Sequence, residues 1–109
     1  MATNRVQAIQ LKSIDSATFT GSYQAINPTG LPEACFMIRI NNDSNRDLTL
    51  SYDGTTDHEY VLAGDFLQVD AQNNARPNNF TALFSKGLVV YVKASAGTGS
   101  VYLSGYYQD

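Results

Sequence analysis

Tryptophan is absent from this 109-residue chain, and cysteine occurs once, at Cys35. A lone cysteine excludes an internal disulfide and leaves too few soft ligands for a structural zinc site. Charge is scarce as well. Asp, Glu, Lys and Arg make up 16% of the residues, where about a quarter is usual. The seven basic residues are scattered singly, so no stripe exists to track a phosphate backbone, and nucleic acid is not an expected partner. No apolar run approaches the roughly 18 residues of a membrane-spanning helix, so a membrane is not expected either. The opening segment Met1-Ala2-Thr3-Asn4-Arg5-Val6-Gln7 has no apolar core of a secretory signal. Together with the missing disulfide, this leads us to expect synthesis in a reducing compartment. No segment keeps a helical period over the length of a helix, and no internal repeat divides the chain.

What is present is enough for one core. Apolar residues reach 43% and aromatics 11%, and the size suits a single domain over residues 1–109. Ser, Thr and Asn contribute nine residues each. The dominant period is two, which marks strands with one buried face. Ala17, Phe19, Gly21 and Tyr23 alternate with polar neighbours, and Phe36, Ile38 and Ile40 alternate with Met37 and Arg39. Leu48, Leu50 and Tyr52 follow, then Phe80, Ala82 and Phe84, then Leu88, Val90 and Val92, and finally Val101, Leu103, Gly105 and Tyr107. Tyr60–Leu62 and Phe66–Val69 read as shorter strands, and Val6–Leu11 as a first one. Asp53-Gly54 suits a tight hairpin turn. Asn41-Asn42-Asp43-Ser44-Asn45 reads as a loop, Ala96-Gly97-Thr98-Gly99 as a hairpin joining the last two strands, and residues 73–79 as a long loop. Asn27-Pro28-Thr29-Gly30-Leu31-Pro32 is excluded from a strand interior by its prolines. Eight or nine short strands at this spacing predict an all-β antiparallel sandwich, of jelly-roll or other Greek-key type. Phe36, Ile38, Leu50, Phe84, Val90 and Leu103 are its expected core.

Chemistry is thinly represented. The single histidine, His58, sits among Asp53, Asp57 and Glu59 in a segment whose composition the turn rules already explain. Calcium would need a loop of six to eight oxygens and zinc three or four ligands, and neither pattern is there. Cys35 lacks a local base and reads as a small apolar strand residue. Gly97-Thr98-Gly99-Ser100 lacks the Lys-Ser/Thr and the helix of a phosphate loop. No catalytic, metal or cofactor site is therefore expected, nor an enzyme.

The tyrosines demand more. Tyr91, Tyr102 and Tyr106 fall opposite the core-directed residues of the last two strands; Val89 shares the face of Tyr91, and Met37 opposes Ile38. A sheet wetted on one side should alternate apolar with polar, yet this second face is partly apolar too. Three explanations compete: cross-strand pairs on a solvated face, a sugar-stacking platform as in carbohydrate-binding modules, or burial against another subunit. The last makes Met37, Val89, Tyr91, Tyr102 and Tyr106 a protein interface.

The second half carries a resemblance. Ile40-Asn41-Asn42-Asp43-Ser44-Asn45 leads into Leu50-Ser51-Tyr52-Asp53-Gly54-Thr55-Thr56-Asp57-His58, followed by Gln72-Asn73-Asn74, Leu83-Phe84-Ser85-Lys86-Gly87 and Val90-Tyr91-Val92-Lys93, and the chain closes on Gly97-Thr98-Gly99-Ser100-Val101-Tyr102-Leu103-Ser104-Gly105-Tyr106-Tyr107-Gln108. Over about residues 36–108 this resembles small β-sandwich virion proteins of tailed bacteriophages. The resemblance implies a structural component of the particle, a head decoration, neck or tail protein, made in the host cytoplasm and located in the virion. Its implied partners are copies of itself and other virion proteins such as capsid or neck proteins. It carries over no binding residues.

Overall fold

The computed structural model describes residues 5–71 and 83–108, and these form an all-β sandwich of two antiparallel sheets. The strands are β1 (Val6–Ala8), β2 (Lys12–Asp15), β3 (Gln24–Ala25), β4 (Met37–Ser44), β5 (Leu48–Ser51), β6 (Glu59–Val61), β7 (Phe66–Asp70), β8 (Tyr91–Lys93) and β9 (Gly99–Gln108). One sheet has five strands in the order β1-β9-β4-β7, with β2 also on β9; the other has four in the order β3-β8-β5-β6.

The pairings are nested. β1 and β2 pair with β9, β3 with β8, β4 with β7 and β5 with β6, all antiparallel. The chain is thus one long hairpin with its tip between β5 and β6. It is rolled so that β9 meets β4 and β8 meets β5. This is the jelly-roll arrangement.

β1 and β2 behave as one strand with a bulge. Ala8 faces Tyr106 and Lys12 faces Leu103, so three residues on one side oppose two on the other. The extra residue reverses the parity: Val6 and Ala8 share the outward face of β9, whereas Ile14 lies opposite inward Val101. Buried Ile9 stays tied in through its N–H to the Gly105 carbonyl at 3.0 Å.

Ile38, Leu50, Val90 and Leu103 are fully buried between the sheets with Ile40, Leu48, Val92 and Val101. Phe84 is half-buried against that core, its backbone exchanging two hydrogen bonds with Cys35. Phe36, expected in the core, is half-buried and outside the cluster, because it precedes the strand whose alternation it was assigned to.

Four local expectations are corrected. Residues 17–23 form no strand: Asp15 caps a short 3₁₀ turn over Ser16–Thr18, accepting the Ala17 N–H at 2.9 Å. Short polar side chains here outcompete the ladder. Asn41–Ser44 is not a loop but the last half of β4, with Asn42 and Ser44 turned inward. Leu88–Val90 lies outside β8, and the Asn27 side chain stands in for a ladder partner: it accepts the Val90 N–H at 2.8 Å and donates to the Leu88 carbonyl at 3.0 Å. Gly97–Gly99 does not close a hairpin, since β8 and β9 belong to different sheets. It is a crossover, and Gly99 (φ +89°) permits it: a Cβ there would lie 2.2 Å from the Asp43 carbonyl oxygen. The expected strand residues Phe80 and Ala82, and the expected loop at 73–79, lie outside the described residues.

Candidate functional site

The five residues expected at an interface divide between the two sheets. Met37 and Tyr106 are direct partners across β4 and β9, on the outward face of the five-stranded sheet. Tyr102 shares that face, four residues back along β9 and opposite Asn41. All three are half-buried. Tyr91 is on the outward face of the other sheet, opposite Ser51 and Ala25. Its ring lies over Gly54, where a Cβ would stand 3.3 Å from it, so the tip of the long hairpin packs on that tyrosine. Val89 precedes β8 and is half-buried. The structure therefore brings Met37, Tyr102 and Tyr106 together and sets Tyr91 and Val89 apart from them.

Two neighbours on the first face were missed by sequence reasoning. Phe66 faces Asn41 from β7 and is about half exposed, and the Arg39 guanidinium sits 4.1 Å from its ring centre. Arg39 also donates through Nε to Asn41 Oδ1 at 3.2 Å. The signal was parity: with Leu67 and Val69 against the core, Phe66 and Gln68 must point outward. Carried across the register, the outward rows of β4, β7 and β9 hold Met37, Arg39, Asn41, Phe66, Tyr102 and Tyr106 among Ser, Gln and Asp, with no Lys or Glu among the described residues. Aromatic residues, Met and Arg are enriched in interfaces, and Lys and Glu are depleted.

The acidic hairpin tip is built from its own bonds. Asp53 Oδ1 accepts the N–H groups of Thr55 and Thr56, both at 2.8 Å, and the Ser51 hydroxyl at 2.8 Å. The two backbone N–H groups first, and then Ser51, hold this carboxyl well below the ordinary carboxylate range. Asp57 accepts the Tyr23 hydroxyl and pairs with Lys93 Nζ at 3.1 Å, and these contacts lower its pKa in that order. Burial, and then the bond to Asp57, push the Tyr23 hydroxyl up to about 12. His58 Nδ1 accepts the Tyr52 N–H at 3.0 Å while its ring stacks on Tyr52. Among the described residues no three His, Cys, Asp or Glu side chains converge as a metal site would require. Cys35 is fully buried, and burial raises its thiol pKa, the opposite of what a nucleophile needs.

No family model matches this chain, and no curated protein or solved structure matches it significantly.

Proposed function

We propose that this chain is a structural virion protein of a tailed phage, a head-decoration, neck or tail component, and that it works by assembling with copies of itself and with neighbouring virion proteins. The observation that carries this reading is the outward face of the five-stranded sheet, where Met37 abuts Tyr106 and the row beside it adds Val6 and Ala8 from β1. Val6 is 64% exposed. Among the described residues no third layer covers that face. Fully burying a side chain the size of Met or Phe is worth about 1.5–3 kcal/mol, of which half-buried Met37 and Tyr106 have a part still to gain before the costs of association. The jelly roll supports the reading as a fold that recurs in viral shells, and so does the resemblance of residues 36–108 to phage virion proteins.

The contact centres on Met37 and Tyr106, with Tyr102 toward its rim. Tyr91 serves the fold instead, as the seat of the hairpin tip. A platform of all three tyrosines stacking on one sugar is not available, since Tyr91 faces away from the other two. Mass spectrometry of purified particles of the encoding phage tests the reading: the chain is expected in stoichiometric amount, and its absence from the particles would overturn it.

A further inference from the structure

At the end of the five-stranded sheet away from Met37 and Tyr106, the register sets Tyr102, Asn41 and Phe66 side by side on three adjacent strands. Two strand spacings separate the flanking residues, about 10 Å. Beside this row the chain crosses from β6 to β7, and together they enclose a cleft of about 290 Å³ lined by Asn41, Asp43, Asp65, Phe66 and Tyr102. Its floor is fixed. The Asn42 N–H donates to the Asp65 carbonyl and the Gly64 N–H to the Asn42 carbonyl, both at 2.9 Å. From below, the Asn42 side chain donates to the carbonyls of Val61 and Leu62 at 3.2 and 3.1 Å. A cleft held this way is preformed and needs little ordering when a ligand enters.

We propose that this cleft binds a neutral saccharide unit. Phe66, one ring face of which the Arg39 guanidinium covers, and Tyr102 line the cleft with aromatic surface that suits the C–H surface of a pyranose. Asp43 and Asp65 stand exposed as hydroxyl acceptors. The Asn41 amide spends its oxygen on Arg39, which leaves its NH₂ group to donate. The Tyr102 hydroxyl both donates and accepts. A sugar hydroxyl does both as well, so it matches this mixed lining. A phosphate-bearing ligand is repelled by the two carboxylates. A simple cation would engage only the carboxylates and rings and leave the Asn41 NH₂ group to water, whereas a sugar hydroxyl can accept from it. The cleft shares Tyr102 with the rim of the assembly contact, whose centre at Met37 and Tyr106 lies four residues along β9.

The test is ¹⁵N–¹H amide-shift titration of the full chain with D-glucose, D-galactose, D-mannose, N-acetyl-D-glucosamine and L-rhamnose, with tetramethylammonium as the cationic probe. At least one sugar is expected to give saturable shifts confined to residues 41–43, 64–66 and 102, with a roughly millimolar Kd as suits an open cleft. Phe66→Ala should weaken that binding roughly tenfold, the loss of one aromatic contact, and Asp65→Asn should weaken it while the rest of the spectrum is unchanged. No saturable shift with any sugar, shifts centred elsewhere, binding untouched by both variants, or stronger shifts with tetramethylammonium would overturn the proposal.

Discussion

Asn42 ties the two sheets together at one end of the sandwich. It is buried, yet every polar atom of its side chain is engaged: Nδ2 reaches the carbonyls of Arg46, Val61 and Leu62, and Oδ1 accepts the N–H and hydroxyl of Ser44. Asn42→Ala strands several of these groups at once. At about 1–3 kcal/mol for a buried group left unpaired, urea unfolding should register a loss on the order of 3 kcal/mol. A loss under half of that would mean water replaces the side chain. Tyr52 is the converse case. Its ring packs against the core, but its buried hydroxyl has no partner, and burial pushes its pKa up to about 12. Tyr52→Phe keeps the ring and removes the unmet group, so stability should hold or rise by up to about 1 kcal/mol. A fall of that size in the same unfolding assay would show that the hydroxyl is satisfied.

At the scale of elements, the loop between β5 and β6 holds the described carboxyls whose pKa is lowered. Asp53 and Asp57 both titrate below the ordinary carboxylate value of about 3.9. A group whose folded pKa is depressed contributes stability above its unfolded pKa and loses it as the pH falls through the folded value. The melting temperature should therefore be level from neutral pH to about pH 5 and decline in stronger acid. In Asp53→Asn/Asp57→Asn that acid decline should be shallower; an unchanged decline would place the acid-sensitive groups elsewhere. The same loop illustrates what was legible in the sequence. Asp53-Gly54 announced a tight hairpin turn; the two strands do pair and Gly54 has φ +84°, but they are joined by the longer loop of residues 52–58 and not by a tight turn. The central strands β4, β5 and β9 were legible because their inward rows, Ile38 and Ile40, Leu48 and Leu50, Val101 and Leu103, keep strict parity. β1 was legible within Val6–Leu11, but β2 was not, because the bulge at residues 9–11 flips the parity midway. The end of β4 was missed because Asn42 and Ser44 are buried polar residues, which composition alone assigns to turns. The cleft was missed because it exists only through pairing: nothing local to Tyr102, Asn41 or Phe66 says that three strands place them in one row.

For the whole molecule, nested pairing explains why consecutive strands often lie in different sheets, and why the last crossover, at Gly97–Gly99, imitates a hairpin in sequence. Among the described residues it also leaves each sheet with one face that no further layer covers. On the four-stranded sheet the hairpin tip folds over Tyr91, whereas on the five-stranded sheet Met37 and Tyr106 meet in the open row beside Val6 and Ala8. Assembly through that row is the central claim. A net charge of −3 offers little repulsion against it. Sedimentation velocity across a wide concentration range tests it most directly. The wild-type chain should sediment as a multimer of its 11.9 kDa subunit, and Met37→Ser/Tyr106→Ser should sediment as a folded monomer while Tyr91→Ser still assembles. A wild-type chain that stays monomeric at the highest concentration, or a double variant that assembles as well as the wild type, would contradict the account.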